Sequence, residues 1–395
     1  IMCGTVGCIG HGKIQTVVLN GLEKLEYRGY DSAGLFIMDE DGSTQLVKRV
    51  GRIQNLRDAV DEEIPAFAGI GHTRWATHGP ATENNAHPHQ SQSGRFTLVH
   101  NGVIENYDEL KKEFLSDVDF KSQTDTEVAV NLIGKFYKEE KDIFKAVLKA
   151  LHTIEGSYAF GVLCKDYPDR IIACRKESPL VVGLGKGENF IASDVSAILE
   201  HIRDVYYLGE KELAVLYTDH VDLFNFEGEK IIKEPSRVEW DMDAAEKNGY
   251  PHFMIKEIHE QPKGLTDTMR PRIIHDASGK PTDVYFEENK MDDAWRKAGR
   301  VVITACGTAY HSGVVAKYAF EKIARMKVDV DVASEFRYRD PILDKDDIFI
   351  VVSQSGETAD TLSALRLAKQ KGLKVVAITN CVGSTVSREA DDVIY

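Results

Sequence analysis

Cys3 is the first residue of the sequence that could act as a nucleophile. It follows Ile1 and Met2, so cleavage before Cys3 would place a free α-amino group beside its thiol. An α-amine titrates near about 8 and a thiol near about 8.5, so the amine could serve as the base for the thiol. We therefore predict that the active species begins at Cys3. The alternative is a small, partly buried apolar cysteine.

Two later segments could complete a site around such a nucleophile, Gly71–Gly79 and His100–Asn106. Within the second segment, Asn101 and Gly102 offer a side-chain amide and a backbone N–H on adjacent residues. Such a donor pair could stabilise a developing oxyanion, at roughly 3 kcal/mol per donor. The alternative interpretation is an ordinary Asn-Gly turn.

Arg74 and Asp125 could together select a free amino acid. Arg74 could bind a carboxylate through two parallel hydrogen bonds, and Asp125 could pair with an ammonium group. A surface ion pair is the alternative for Arg74. Asp125 follows Ser122-Gln123-Thr124, which is typical of a helix cap, so a helix N-terminal charge is its alternative. We interpret Trp75 as a packing residue or a gate rather than a base-stacking platform.

A metal centre is the competing explanation for the histidines of this region. Their spacing matches neither H-E-x-x-H nor a His-and-Cys finger, so we predict no metal and no cofactor. The histidines concerned are His72, His78, His87, His89 and His100.

Composition narrows the class of protein further. The 395 residues predict two or three domains, and the net charge of −14 disfavours nonspecific binding to nucleic acid or membranes. The six cysteines form no C-x-x-C pair, and no signal segment or membrane-spanning apolar run is present. We therefore expect a protein of the reducing cytoplasm.

The order of elements predicts two structural regions. A strand over residues 3–10, an amphipathic helix over 12–25 and many short strands thereafter indicate a layered α+β domain over 3–226. Residues 227–288 are predicted to be a linker and helical lead-in. From 289 to 395, alternating strands and helices predict an α/β doubly wound domain with a parallel sheet.

Hydroxyl-rich loops occur at the ends of two strands in the α/β region. Ser353–Thr358 follows one strand and opens a helix, and Cys306–Ala309 occupies the equivalent position in the preceding unit. Unpaired helix N–H groups beside hydroxyls favour an anion, most plausibly a phosphate. Ordinary helix capping is the alternative. Neither nucleotide-binding glycine motif is present.

The N-terminal motifs resemble those of class II glutamine amidotransferases. That resemblance implies the N-terminal-nucleophile hydrolase fold, two sheets between helices (αββα), with Cys3 as nucleophile and Asn101 and Gly102 as the oxyanion hole. It implies an ammonia gate at Trp75. The implied glutamine-binding residues are Arg74, Thr77, His78, Gly102 and Asp125. The motifs are Cys3-Gly4, Glu26–Gly34, His72–Gly79, Asn84–His89, His100–Asn106 and Thr124–Val128.

The C-terminal region resembles a sugar-isomerase (SIS) phosphosugar-binding domain. With Ala333–Arg339, the order of the two domains resembles the glutamine–fructose-6-phosphate aminotransferase family. Ala309 stands where that family usually has a hydroxyl. The family continues into a second SIS domain and tail that hold its isomerase residues, so we expect this chain, which stops at Tyr395, to be a fragment. The implied sugar-phosphate contacts are Thr308, Ser353, Gln354, Ser355 and Thr358.

The family resemblance implies that ammonia from glutamine reaches fructose 6-phosphate and gives glucosamine 6-phosphate and glutamate, in a homodimer when the enzyme is full length. Other class II amidotransferases would require V-V-D-D-S-like or S-G-G-x-D-S-like motifs, which are absent. A glutaminase-only fragment and a noncatalytic sugar-phosphate-binding regulator remain as alternatives.

Overall fold

The computed structural model describes residues 3–26, 29–75, 78–238, 250–276, 278–285 and 293–395. Contacts divide the chain into two compact units, Ile1–Ala245 and Glu246–Tyr395. Each unit has its own sheets and its own core.

The first unit contains fifteen described strands and five described α-helices. The strands are β1 (Gly4–Gly10), β2 (Ser32–Met38), β3 (Thr44–Val50), β4 (Ala68–Arg74), β5 (His89–Gln90), β6 (Phe96–Ile104), β7 (Gly156–Cys164), β8 (Tyr167–Lys176), β9 (Val181–Leu184), β10 (Glu188–Ala192), β11 (Asp204–Tyr207), β12 (Glu212–Leu216), β13 (Val221–Asn225), β14 (Lys230–Ile231) and β15 (Ser236–Arg237). The helices are α1 (Ile14–Leu25), α2 (Ile53–Arg57), α3 (Tyr107–Phe114), α4 (Asp125–Glu140) and α5 (Ile143–Thr153).

These strands form two antiparallel sheets. One has eight strands in the order β15-β11-β9-β10-β1-β4-β2-β3, and the other has seven in the order β14-β13-β12-β8-β7-β6-β5. An apolar layer that includes Ile9, Phe36, Ile70 and Val99 fills the space between the two sheets. Because β1 lies near the middle of its sheet and is buried throughout, the residue before it is held firmly.

Helices cover the outer faces of both sheets. The apolar stripe of α1 that includes Val18 and Leu22 packs on the first sheet, as its helical spacing predicts. The apolar faces of α4 and α5, including Leu132 and Val147, pack on the second sheet. The four layers confirm the predicted αββα sandwich.

The end of the first unit differs from the predicted boundary at residue 226. β14 pairs with β13, and β15 pairs with β11 through Val205 and Ser236, so the chain is still part of both sheets beyond that residue. Each of these strands has only two residues, which is too short for an alternating pattern to appear. The same region was predicted to be a linker.

The second unit begins with a helix and a hairpin and continues as an α/β domain. Its elements are α6 (Phe253–Met269), β16 (Ile273–His275), β17 (Pro281–Val284), α7 (Asp293–Lys297), β18 (Arg300–Ala305), α8 (Gly307–Ala319), β19 (Lys327–Val332), α9 (Ala333–Phe336), β20 (Ile348–Ser353), α10 (Ala359–Gln370), β21 (Lys374–Thr379), α11 (Thr385–Glu389) and β22 (Asp392–Ile394).

The five strands β18 to β22 form a parallel sheet in the order β19-β18-β20-β21-β22, which confirms the predicted α/β class. The strand order reverses between β18 and β20, so their carboxyl ends flank a topological switch point, the usual ligand crevice of such sheets.

The prediction missed the β16–β17 hairpin and the short helices α9 and α11. α8 begins at Gly307, within the Cys306–Ala309 segment that was predicted to be a loop. Within the described parts of the chain, no helix is long and apolar enough to span a membrane.

Candidate active site and phosphate-binding loop

Strand pairing brings the predicted nucleophile beside the predicted binding segment. Gly4, the first residue of β1, pairs with Thr73, the penultimate residue of β4. The second sheet joins them through β6, because the Thr5 hydroxyl donates to Asn101 Oδ1 at 3.0 Å. The start of β1 and the ends of β4 and β6 therefore meet at one edge of the sandwich.

Cys3 lies at that meeting point. Its sulfur accepts a hydrogen bond from the Trp75 backbone N–H at 3.3 Å. Burial raises the pKa of the Cys3 thiol above its ordinary value, and the Trp75 N–H opposes that rise only in part. The thiol is therefore protonated at neutral pH, and its reaction as a nucleophile requires a base.

The Asn101 side chain contacts the nucleophilic residue directly. Its Nδ2 donates to the Cys3 carbonyl oxygen at 3.1 Å, and its Oδ1 lies 2.9 Å from His72 Nε2. Asn101 is buried and lies inside β6, so the turn interpretation of Asn101-Gly102 is wrong. One of the two Nδ2 hydrogens is used by the Cys3 carbonyl, which leaves the other for a ligand.

Gly102 occupies a backbone conformation that only glycine adopts easily, with φ of +137°. A Cβ at this position would lie 2.0 Å from the Ser157 carbonyl oxygen on the neighbouring strand β7. The glycine therefore allows β6 and β7 to approach each other at the residue that follows Asn101.

Arg74 is buried rather than part of a surface ion pair, so that alternative is wrong. Its guanidinium donates to the carbonyl oxygens of His78, of Gly79 at 3.2 Å and of Pro80 at 3.2 Å. These bonds hold the 78–80 segment against the end of β4. A charged guanidinium at this position is also a strong attractor for a carboxylate.

Asp125 begins α4 and is 4% exposed. Its Oδ2 accepts from the Ile104 N–H at 2.8 Å, and its Oδ1 lies 4.0 Å from His78 Nδ1. The predicted cap is also present, because the Thr124 hydroxyl accepts from the Glu127 N–H at the helix start. The carboxylate is thus a fixed negative charge at the edge of the site.

Trp75 keeps 40% of its surface exposed and packs edge-on against Tyr30, with ring centroids 5.4 Å apart. Its backbone holds the Cys3 sulfur while its indole faces outward. Thr77, the remaining predicted glutamine contact, lies outside the described residues. The structure brings the other predicted residues of this site together: Cys3, Arg74, Trp75, His78, Asn101, Gly102 and Asp125.

A buried histidine cluster lies behind Asn101. The His72 and His87 ring centroids are 4.3 Å apart, and those of His87 and His89 are 4.9 Å apart. The Thr126 hydroxyl links His87 Nε2, at 2.7 Å, to His100 Nδ1, at 2.9 Å. Among the described side chains, no group of three His, Cys, Asp or Glu residues could hold a metal ion.

Two contributors to this site were not predicted in these positions, Thr5 and His72. A sequence signal existed for both. Thr5 lies two residues after Cys3, so strand alternation places these two side chains on the same face. His72 lies two residues before Arg74, and the same rule places His72 and Arg74 on one face. His72 was considered only as a metal ligand, and its hydrogen bond with Asn101 was not predicted.

In the second unit, the Ser353–Thr358 loop follows β20. Ser353 Oγ accepts from the Gly356 N–H at 3.0 Å and lies 3.2 Å from Thr358 Oγ1. Gly356 has a φ of +65°, and a Cβ there would lie 2.0 Å from Ser384 Oγ. The Thr358 side chain makes no capping bond to α10, so the plain capping interpretation fails for that residue.

Thr308 and the Ser353–Thr358 loop lie at the carboxyl ends of neighbouring parallel strands. Ala305, the last residue of β18, pairs with Val352 of β20. Gln354 is exposed and Ser355 is partly exposed, so both can reach a ligand in the crevice. The predicted juxtaposition of the two loops at the switch point is present.

Family comparisons agree with this division of the chain. Residues 72–200 match the model of the glutamine amidotransferase domain, and residues 295–395 match the model of the SIS domain. The fold of the chain also resembles a solved structure, the glutamine phosphoribosylpyrophosphate amidotransferase from B. subtilis. That match has a TM-score of 0.50 at 17% identity and covers 99% of this chain and 90% of that one. Residues 72–200 are thus similar to a glutamine amidotransferase domain, and residues 295–395 are similar to a SIS domain.

Curated relatives carry both domains under one name. The chain is 53% identical over its whole length to the glutamine–fructose-6-phosphate aminotransferase [isomerizing] of Caldanaerobacter subterraneus subsp. tengcongensis and 52% identical to that of Clostridium tetani. It spans 64% of the length of each of these relatives. The chain is thus similar over its whole length to part of the glutamine–fructose-6-phosphate aminotransferases of these organisms.

Proposed function

We propose that this protein hydrolyses L-glutamine at Cys3 and delivers the ammonia to D-fructose 6-phosphate. The observation that carries the first half is the contact of Cys3 with the Asn101 amide, at 3.1 Å. A nucleophile, a hydrogen-bond donor aimed beside it and fixed charges of both signs are the parts that hydrolysis of an amino-acid side-chain amide needs.

The Cys3 sulfur attacks the side-chain carbonyl carbon of glutamine. The developing oxyanion receives hydrogen bonds from Asn101 Nδ2 and the Gly102 N–H. The tetrahedral intermediate collapses, the C–N bond breaks, and ammonia leaves with a proton. Water then attacks the thioester, which releases glutamate and restores the thiol.

A base near the sulfur is part of the proposal because burial raises the pKa of the Cys3 thiol. The α-amino group of Cys3 meets that need once the peptide bond from Met2 is cleaved. Mass spectrometry of the purified active protein tests this step. We expect a chain that begins at Cys3, and an active protein with an intact Ile1-Met2 start would contradict it.

Binding of the amino-acid portion of glutamine is assigned to two opposite charges. The α-ammonium pairs with Asp125, whose carboxylate is buried beside His78. The α-carboxylate pairs with Arg74. Trp75 is the proposed gate for ammonia because its backbone contacts the nucleophile while 40% of its surface is exposed.

The second half rests on the homology and on the loop of the SIS domain. The relatives are named for an aminotransferase reaction on fructose 6-phosphate. The Ser353–Thr358 loop supplies hydroxyls and backbone N–H groups to the phosphate, with Thr308 beside it across the switch point. Ammonia condenses with the sugar carbonyl with loss of water, and isomerisation of the imine gives glucosamine 6-phosphate. We further propose that the full-length enzyme is a homodimer.

A glutaminase assay on the purified protein tests the first half. Cys3→Ala removes the sulfur, and we expect glutamate release to fall to background. Cys8→Ala is the control, since Cys8 is a buried free cysteine on β1, the strand that Cys3 precedes. Equal activity in wild type and Cys3→Ala would overturn the proposal.

Calorimetric titration with fructose 6-phosphate tests the second half. We expect saturable binding that Ser353→Ala weakens. Glutamine hydrolysis without any sugar-phosphate binding would indicate a glutaminase alone. Sugar-phosphate binding without hydrolysis by a chain that begins at Cys3 would indicate a noncatalytic regulator.

A further inference from the structure

The orientation of the Asn101 amide decides whether it can donate to an oxyanion. The Cys3 carbonyl oxygen can only accept, so the group 3.1 Å from it is Nδ2. The carbonyl oxygen Oδ1 then faces the opposite side, towards Thr5 and His72. A flipped amide would point its oxygen at the Cys3 carbonyl and would lose the donor.

His72 is the partner that distinguishes the two orientations on that side. The Thr5 hydroxyl can either donate or accept, so it fits both orientations of the amide. An imidazole fits only one, according to which nitrogen carries the proton. With the proton on Nε2, His72 donates to Asn101 Oδ1 at 2.9 Å and favours the orientation with Nδ2 at Cys3.

The surroundings of His72 favour that tautomer. The side chain is fully buried, and its Nδ1 has no hydrogen-bond partner among the described residues. A proton on Nδ1 would be a buried donor without an acceptor at hydrogen-bond distance, and Oδ1 would keep only the Thr5 hydroxyl as a donor. Burial lowers the pKa of His72 to about 3 although its interactions with Asn101 and with the His100 backbone raise it, so the ring is neutral at physiological pH.

The position of the ring is fixed by the histidine cluster. His72 packs on His87, and Thr126 in the first turn of α4 holds both His87 and His100. The same turn carries Asp125. The start of α4 therefore supports the Asn101 amide and also places the charge proposed for the substrate ammonium.

We infer that His72 is a positioning residue for glutamine hydrolysis: its Nε2–H holds the Asn101 amide with Nδ2 directed at the oxyanion. This inference rests on the proposed function, because it assigns a role within the same site. His72 does not contact the substrate in this scheme, and it acts only through Asn101.

Steady-state kinetics of glutamine hydrolysis provide the first test. We expect His72→Leu to lower kcat by about tenfold to a hundredfold, with KM changed by less than about threefold, since the loss is confined to the transition state. His72→Gln, whose amide nitrogen can replace Nε2, restores most of kcat. His152→Leu is the control, because His152 bonds the Phe226 carbonyl oxygen and lies outside the histidine cluster.

An aldehyde analogue of glutamine, glutamate γ-semialdehyde, gives a readout other than turnover. It forms a tetrahedral adduct with the Cys3 thiol, and the adduct oxygen occupies the oxyanion position. We expect its dissociation constant to rise about tenfold in His72→Leu and to stay unchanged in His152→Leu. Alkylation of Cys3 by iodoacetamide needs no oxyanion stabilisation and is expected to keep its wild-type rate in both variants.

Nitrogen NMR of the wild-type protein with labelled histidine tests the tautomer without any substitution. We expect His72 to carry its proton on Nε2 and to show no titration between about pH 5.5 and 8.5. A proton on Nδ1 overturns the inference, and so does a His72→Leu variant with wild-type kcat. If wild type itself does not hydrolyse glutamine through Cys3, the proposed function fails instead, so the two failures are distinct.

Discussion

The two candidate sites of this protein are built in opposite ways. In the first unit, hydrogen bonds that define the site join Cys3 to Asn101 and Thr5 to Asn101, which are 98 and 96 residues apart in the chain. In the second unit, the bonds of Ser353 within the Ser353–Thr358 loop span five residues or fewer, and the longer bonds of the loop reach residues 379–386, such as the Thr385 N–H bond to Glu357 over 28 residues. The first site depends on the packing of two sheets, and the second on one turn held against the end of β21 and the start of α11.

The two units also differ in the burial of their histidine side chains. His72, His87, His89 and His100 are all buried in the first unit. In the second unit, His252, His259, His275 and His311 are all exposed. A fall in pH is therefore expected to lower both the stability and the activity of the first unit. The exposed histidines of the second unit are not expected to link its Ser353–Thr358 loop to its core in this way.

The largest expected effect of a single substitution comes from Gly102→Ala. The new Cβ would lie 2.0 Å from the Ser157 carbonyl oxygen, at a φ of +137°. Strain and overpacking together are expected to cost about 3–5 kcal/mol of the free energy of unfolding. Hydrogen exchange measured by mass spectrometry is expected to show lost protection throughout β6 and β7.

Gly42→Ala is the control for that experiment. Gly42 also has a positive φ, of +83°, but a Cβ there meets no atom within 4 Å. We expect a cost of about 1–2 kcal/mol from the backbone strain alone. Equal losses of unfolding free energy in Gly102→Ala and Gly42→Ala would show that the close contact between β6 and β7 does not determine the stability of the site.

Asn101→Ala tests the chemistry of the same strand. Loss of an oxyanion donor is expected to lower kcat for glutamine hydrolysis by about a hundredfold to a thousandfold. Fructose 6-phosphate affinity is expected to stay within about twofold, because the two sites have separate residues. The control is Asn225→Ala, at the surface end of β13. A large fall in sugar-phosphate affinity would contradict the independence of the sites.

The contrast between the units also explains what the sequence could predict. The position of the Ser353–Thr358 loop was predicted from a strand, a turn and a helix that are adjacent in the chain. The convergence of Cys3 with Asn101 was predicted from the chemistry of the residues and from the family resemblance. Hydrophobic periodicity predicts that β1 and β6 are strands, but it contains no information on which strands face each other.

The errors of the sequence analysis have the same physical origin. β14 and β15 have two residues each, so tertiary pairing alone defines them. Burial of Arg74 results from three carbonyl acceptors that a loop brings to it, and no local pattern indicates that loop conformation. The role of His72 depends on an amide that lies 29 residues further along the chain.

Acidification is expected to destabilise the first unit selectively. The folded protein holds His72 neutral with a pKa of about 3, whereas the unfolded chain binds a proton near pH 6.5. The unfolded state therefore binds more protons below pH 6.5, and stability falls as the pH decreases from 6.5 towards 3. For His72 alone the loss at pH 5 is about 2 kcal/mol. Burial also lowers the pKa values of the three other buried histidines, which adds to the loss.

Hydrogen exchange at pH 7 and pH 5, corrected for the intrinsic rate, separates the two units. We expect lost protection in residues 68–104 and little change in residues 348–379. His220→Gln is the control, since His220 is half exposed and lies outside the buried histidine cluster. Equal loss of protection in both units would indicate that the carboxylates, rather than the buried histidines, dominate.

The smallest effect is expected in the second unit, from Ser353→Ala. The substitution removes an acceptor for the Gly356 N–H and a partner for Thr358 Oγ1, so the loop loses its internal support. We expect fructose 6-phosphate affinity to fall about tenfold, equivalent to about 1.4 kcal/mol, while the kcat for glutamine hydrolysis is unchanged. Ser363→Ala, on the helix that follows, is the control and should bind normally. Because both side-chain bonds of Ser353 are local, we expect the hydrogen exchange of the β18 and β21 amides to remain as in wild type. A loss of protection in those strands would show that Ser353 supports the sheet rather than the turn.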